Sequence, residues 1–249
     1  MKFLSVVLLL MAAGVSPSDA AIRLVEPKLK LDTQPPGQAA GARPRVALTL
    51  DACSGSTDVR ILSTLIDNAI PATVFVTARW LHRNALAFAV LRAHPDLFEL
   101  ENHGAAHIPA IDQPVSVYGI AAAGSADAVV REVTGGADAI LAQGGSAPHW
   151  FRGATAKYSL SSIALLRGMG YRVAGYSVNG DGGSLLGASI AEKRIASARD
   201  GDVIIAHINQ PTHSAGAGVA RGILDLKARG YNFVRLDQAP EDGSDATTN

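Results

Sequence analysis

Apolar and polar positions along this chain alternate between two kinds of segment. Short, nearly continuous apolar runs, such as Arg45-Val46-Ala47-Leu48-Thr49-Leu50-Asp51, suit strands buried on both faces of a parallel sheet. Similar runs stand at 72–76, 97–101, 149–151, 172–176, 202–207 and 232–236. Between them lie stretches with apolar residues at helical spacing. The first carries Ile61, Leu62, Leu65 and Ile66 within a helix expected from Ser56 or Thr57 to about Asn68. Further helices are expected over about 79–93, 125–141, 159–168, 188–197 and 216–229, with a longer insertion at about 108–124. About seven β-then-α units in one order predict a single α/β domain with a parallel sheet, open or closed into a barrel.

The flanks read differently. Met1-Lys2, the apolar run Phe3 to Val15 and the small residues ending at Ala20 have the layout of a secretory signal peptide over residues 1–20. The apolar run is shorter than the roughly 20 residues a membrane span requires, so no stable anchor is expected. Residues 21–44, with Pro27, Pro35, Pro36, Gly37, Gly41 and Pro44, read as an extended lead-in outside the folded unit. The domain is placed at 45–237, and 238–249 reads as a disordered polar tail.

Composition narrows the function. With 48% apolar residues, 249 residues can bury a sizeable core. The formal net charge is zero, which argues against nucleic acid and anionic membranes as partners. Nothing implies a protein partner. Cys53 is the single cysteine, so no internal disulfide and no cysteine-based zinc knuckle can form. Aromatic content of 5% argues against a long sugar-stacking groove but leaves room for a short one.

Candidate chemistry gathers at predicted strand ends. In Glu101-Asn102-His103-Gly104-Ala105-Ala106-His107, two histidines stand four apart. If the segment after Asn102 is helical, both imidazoles share a face and converge on one metal ion. Asp51, Arg152 and His207 also sit at or just after strand ends, where barrels of this kind place their chemistry. Each has a plain structural alternative: a helix cap, a surface charge, an edge histidine. Together they suit metal-assisted hydrolysis, with a carboxylate taking a proton from water and a histidine protonating the leaving group. The Gly-rich pairs Gly135-Gly136 and Gly144-Gly145 and the run 180–183 lack a phosphate-binding context and read as turns.

These motifs, in this order, resemble the polysaccharide deacetylases with the NodB homology domain. Thr49-Leu50-Asp51 matches the first motif and His103-x-x-x-His107 the second. Phe151-Arg152-Gly153 through Tyr158 occupies the third, Gly175 to Asp181 a fourth, and Gly201 to His207 the closing one. The resemblance implies a distorted (β/α)7-type barrel, one divalent metal ion, most commonly zinc, and a glycan substrate. It implies His103 and His107 as ligands, Asp51 as general base, Arg152 holding Asp51, His207 as general acid and Asp181 tuning His207. Tyr158 and Trp150 are the candidates for substrate contact. The implied activity is removal of N-acetyl groups from amino sugars by an exported enzyme, a hydrolase of carbon–nitrogen, but not peptide, bonds. O-deacetylation, hydrolysis of another carbon–nitrogen bond and non-catalytic glycan binding remain as alternatives.

One departure stands out. The family's second aspartate, usually the third ligand, is Ala52 here. Asp51 itself, or Asp58, could take that place, or the site could bind metal weakly or not at all. Cys53 as thiolate would be a good soft ligand, but an inert buried thiol is the expectation. His213 is expected on the rim.

Overall fold

The computed structural model describes residues 22–32 and 43–238. The expected signal peptide and the tail beyond Gln238 lie outside them. Strand β1 (Arg45–Ala52) is followed by α1 (Val59–Asp67), β2 (Ala72–Val76), α2 (Ala78–Arg83), α3 (Ala85–Ala93) and β3 (Phe98–Asn102). The insertion holds a hairpin, β4 (Ser116–Val117) and β5 (Ile120–Ala121), turned at Tyr118 and Gly119, both at positive φ as its twist requires. Then come α4 (Ala126–Ala142), β6 (Trp150–Phe151), α5 (Leu160–Gly168), β7 (Arg172–Val173), β8 (Val178–Asn179), α6 (Ala188–Ala196), β9 (Val203–His207), α7 (Ala215–Ala228) and β10 (Asn232–Val234).

All strand pairs in the main sheet are parallel, in the order β7-β6-β3-β2-β1-β9-β8, with β10 also pairing β1. The sheet curls into an incomplete barrel ringed by helices, the expected α/β architecture. Strand alternation separates an outer from an inner core, and a further cluster around Val129, Phe151, Tyr158 and Leu166 packs beside α4 and α5. Val46, Leu48, Leu50 and Ala52 of β1 face outward with Ile204, Ala206 and the helices. Ala47, Phe75, Trp150, Val203 and Ile205 face inward. Thr49, Asp51, Arg152 and His207 follow the inward parity. Register places Asp51 opposite both Phe75 and His207, so strand ends on either side of β1 finish level.

The 172–176 run departs from expectation. Only Arg172–Val173 pairs, and a second short strand forms at Val178–Asn179. The sheet's end strands, β7 and β8, therefore leave a seam, and residues 22–32 cross it. Val25 and Tyr158 exchange backbone hydrogen bonds of 2.8 and 2.9 Å, and Leu31 N donates to Gly201 O at 2.8 Å. Leu29 and Leu31 join the inner core beside Ala174 and Tyr176. A Cβ at Gly175 would lie 2.2 Å from Pro27 O, so only glycine admits this crossing. Residues 22–32, read from the sequence as part of a lead-in outside the folded unit, thus belong to it. Among the described residues, no helix is long and apolar enough to cross a membrane.

The inner face of β3 also holds Glu99 and Glu101, lining a cavity of about 400 Å³ with His149 and Arg235. Glu101 Oε2 accepts from His149 N (2.9 Å) and Trp150 N (2.7 Å). Burial, and then the neighbouring Glu99, push the Glu101 carboxyl up to about 9. The unfolded chain releases this proton near 4.5, so folding takes up a proton between those values and stability falls as pH rises through them. Glu101→Gln keeps an acceptor for both amides and removes the titration. Its melting temperature relative to the parent is expected to rise steadily from pH 5 to pH 9; a constant difference would refute the assignment.

Candidate active site

Arg152, at the end of β6, is fully buried. Its Nη1 donates to Asp51 Oδ1 and Thr49 Oγ1, both at 2.9 Å. Nη2 donates to Gly175 O at 3.0 Å, Nε to Ala174 O at 3.3 Å, and the guanidinium stacks on Phe75. Burial pushes the Asp51 carboxyl up. Arg152, then His103 and His207, outweigh burial and leave it below the usual carboxylate value. Asp51 is therefore an ionised carboxylate held by one oxygen. Its other oxygen, Oδ2, lies 3.8 Å from His103 Nε2.

His103 and His107 do converge, with ring centroids 5.0 Å apart. The segment after Asn102 is not a helix, which corrects the expectation. It is a loop that turns at Gly104 (φ 87°) and His107 (φ 61°). What holds it is Glu132 of α4, whose carboxylate accepts from Ala106 N and Ile108 N while its carbonyl accepts from Ala105 N. Asn102 Oδ1 accepts from Gly104 N, and its Nδ2 donates to Val133 O. Gly135-Gly136, read as a turn, lies inside α4. A Cβ at Gly136 would come within 2.2 Å of Asn102 Oδ1, so glycine lets the helix press against the histidine loop. His103 Nδ1 donates to Arg152 O at 2.5 Å, which fixes the tautomer and leaves Nε2 turned to the site.

His207 ends β9 with Nδ1 2.9 Å from Asp181 Oδ1, and its backbone N donates to Asp181 Oδ2 at 2.7 Å. Burial lowers the imidazole pKa, but fully buried Asp181 overrides it and holds His207 well above its usual value. A raised value favours the imidazolium, the form that can donate a proton. Asp181→Asn is expected to draw the alkaline limb of kcat/KM toward lower pH, with a loss of about 10-fold at about pH 8. An unmoved limb would exclude His207 as the acid.

Cys53 continues the alternation of β1 and points to the same side as Asp51. Its Sγ lies 3.5 Å from His103 Nε2. Burial would push the thiol up, but His103, His107 and His207 around it bring it well below the usual thiol value. The expectation of an inert buried thiol does not fit this setting. Ligand atoms of Cys53, His103 and His107, one from each, all lie within 4.8 Å of one another. These side chains fit a divalent ion.

Other candidates fall elsewhere. Asp58 caps α1 and pairs with Arg60, so it does not supply a third ligand. Tyr158 and Trp150, expected at the substrate, are core residues instead. Tyr158 is fully buried, its hydroxyl accepting from Gly153 N at 2.7 Å; Trp150 packs in the inner core against the Arg172 guanidinium. His213 Nδ1 bonds to Ser184 O, on the His207 side. Between Arg152 and Tyr158 the chain makes a tight turn with Thr155 at φ 69°, strained for a β-branched residue, and its buried hydroxyl lacks a hydrogen-bond partner among the described residues. Glu132 and Asn209 were missed from sequence. Asn209 is fully buried, and with its amide turned to satisfy both neighbours it donates to Asp51 O and accepts from Ser54 N, clamping the turn that carries Cys53.

A parallel barrel with imidazoles, carboxylates and a guanidinium gathered at the C-terminal ends of its strands has the layout of a barrel enzyme. The sequence model of the polysaccharide deacetylases matches residues 38–174, more than half of the chain, and the chain belongs to that family. No curated protein matches it in sequence. Its fold is similar to that of the T48 deacetylase solved with substrate, at 21% identity and TM-score 0.62, over 79% of this chain and 90% of that one. Peptidoglycan deacetylase PdaC from Bacillus subtilis matches at 22% and 0.62, over 80% and 91%. BA3943 from Bacillus anthracis, described as a CE4 family pseudoenzyme, matches at 19% and 0.63, over 80% and 66%.

Proposed function

We propose that this chain is an exported, metal-dependent hydrolase that removes N-acetyl groups from amino sugars of a glycan, of the peptidoglycan or chitin-like kind. The observation that carries the reading is the set gathered at the strand ends: Asp51 held by Arg152, His207 beside it held by Asp181, and His103 and His107 converging on the other side of Asp51. His103 and His107 would hold the ion. When bound, a divalent ion acidifies water and polarises the amide carbonyl. Asp51 takes the proton from the attacking water, Arg152 fixes the carboxylate, and His207 delivers a proton to the departing nitrogen, so amide and water become acetate and amine. Asp181 keeps His207 in the tautomer that presents Nε2. The layout of residues 1–20 supports export.

Acetate release from N-acetylated chito-oligosaccharides and peptidoglycan, measured with and without chelator, tests this. Release that stops on chelation and returns with zinc is the expected result; release unaffected by chelation overturns it. Ester but not amide cleavage would assign O-deacetylation. Ala52, in the place of a ligand, and the likeness to a protein described as a pseudoenzyme favour a second reading, glycan binding without hydrolysis. Retention on the glycan with no acetate released, at full metal loading, would establish that reading.

A further inference from the structure

We infer that Cys53 is the third protein ligand, binding through its sulfur, and that the ion held here is therefore a thiophilic one of the zinc, cobalt and cadmium class. This ligand set rests on the metal-dependent reading above. Geometry supports it in three ways. First, metal–sulfur and metal–nitrogen bonds of about 2.3 and 2.1 Å at a tetrahedral angle separate the two donor atoms by about 3.6 Å. Cys53 Sγ and His103 Nε2 already stand 3.5 Å apart. Second, strand alternation turns Ala52 outward into the core under the helices and carries positions 51 and 53 inward.

Third, the neighbouring acids are engaged. Asp51 gives one oxygen to the buried guanidinium of Arg152, and Asp58 is bound to Arg60. With Cys53 as ligand, Asp51 remains free to act as base, which removes the conflict posed by Ala52. Hard ions such as magnesium take six oxygen donors, whereas sulfur with two imidazoles suits a borderline-soft ion. His103 Nδ1, bound to the Arg152 carbonyl, completes the orientation of the ligand imidazole.

Cobalt titration of the whole metal-stripped chain tests this by absorbance, with no need for turnover. The expected result is a thiolate-to-cobalt charge-transfer band that saturates at one equivalent, is erased by zinc and persists in excess magnesium. In Cys53→Ser, shown folded by circular dichroism, the band is lost and affinity falls by on the order of 100-fold. Cobalt bound at one equivalent with no such band, and equally by Cys53→Ser, overturns the ligand assignment and leaves the metal-dependent reading standing. No cobalt bound by the parent chain overturns both. Should Cys53→Ser fail to fold, X-ray absorption on the zinc-loaded parent decides: a sulfur scatterer at about 2.3 Å confirms the assignment, and a shell of nitrogen and oxygen alone refutes it.

Discussion

Asp51→Asn is expected to lower kcat for acetate release by about 10²- to 10⁴-fold, the usual worth of a positioned general base. The side chain is buried, ionised by Arg152 and within 3.8 Å of His103 Nε2, so it faces the place where the reacting water must lie. Asparagine keeps the shape and can still accept from Arg152, but it cannot take a proton. Metal content of the variant, measured beside its rate, separates two roles. Metal retained with activity lost identifies a base; metal and activity lost together identify a ligand. A variant that keeps its rate excludes both. The depressed carboxyl pKa adds a stability effect: its contribution is present above the unfolded carboxylate value and fades as pH falls through the folded one.

Arg152→Met is expected to destabilise the fold by about 3–5 kcal/mol, because it leaves the Asp51 carboxylate buried without its cation. For a domain of this size that is a fall in melting temperature of roughly 6–20 °C. The cost exceeds the loss of one ion pair because Arg152 also satisfies Thr49 Oγ1 and the carbonyls of Ala174 and Gly175. It ties β1 to β6 and to the residues after β7, across the inside of the barrel. In the double variant Arg152→Met/Asp51→Leu, part of the loss should return, since no unpaired charge remains. A shift of under about 0.5 kcal/mol for Arg152→Met, as at an ordinary surface position, would contradict the buried pairing.

The barrel was legible because strands buried on both faces leave long apolar runs that little else produces. Its edges were less so: the expected 172–176 strand pairs only over Arg172–Val173, and the two residues of β8 carry no periodicity to read. The residue types of the site were also legible, for Asp51, His103, Arg152, Asp181 and His207 all meet where the strands end. The conformation of the His103 loop was not, since His-x-x-x-His fits a helix equally well, and the partner that prevents one, Glu132, is distant in sequence. The place of Cys53 beside the histidines was legible only in part. A period of two through Asp51 places residue 53 on the same face, but a lone cysteine in an apolar neighbourhood is read by default as packing. Tyr158 and Trp150 failed for the opposite reason, because aromatic side chains near a motif suggest sugar contact while burial alone decides where they go.

The seam closed by residues 22–32 has a consequence for how the molecule is assembled. The segment lies before every barrel strand, yet its anchors, Tyr158 and the Gly201-Asp202 pair, emerge far later from the ribosome. Its seating is a contact of very long sequence separation, so it is expected to form late and slowly. Until then the backbone groups of Tyr158, Tyr176 and Gly201 lack these partners and the inner core around Ala174 and Tyr176 lacks Leu29 and Leu31, the kind of open backbone and apolar surface through which chains join one another. A chain trimmed to begin at residue 38, where the family match starts, would keep that vulnerability permanently and is expected to associate. The barrel's last gap is closed by a segment that precedes all of its strands.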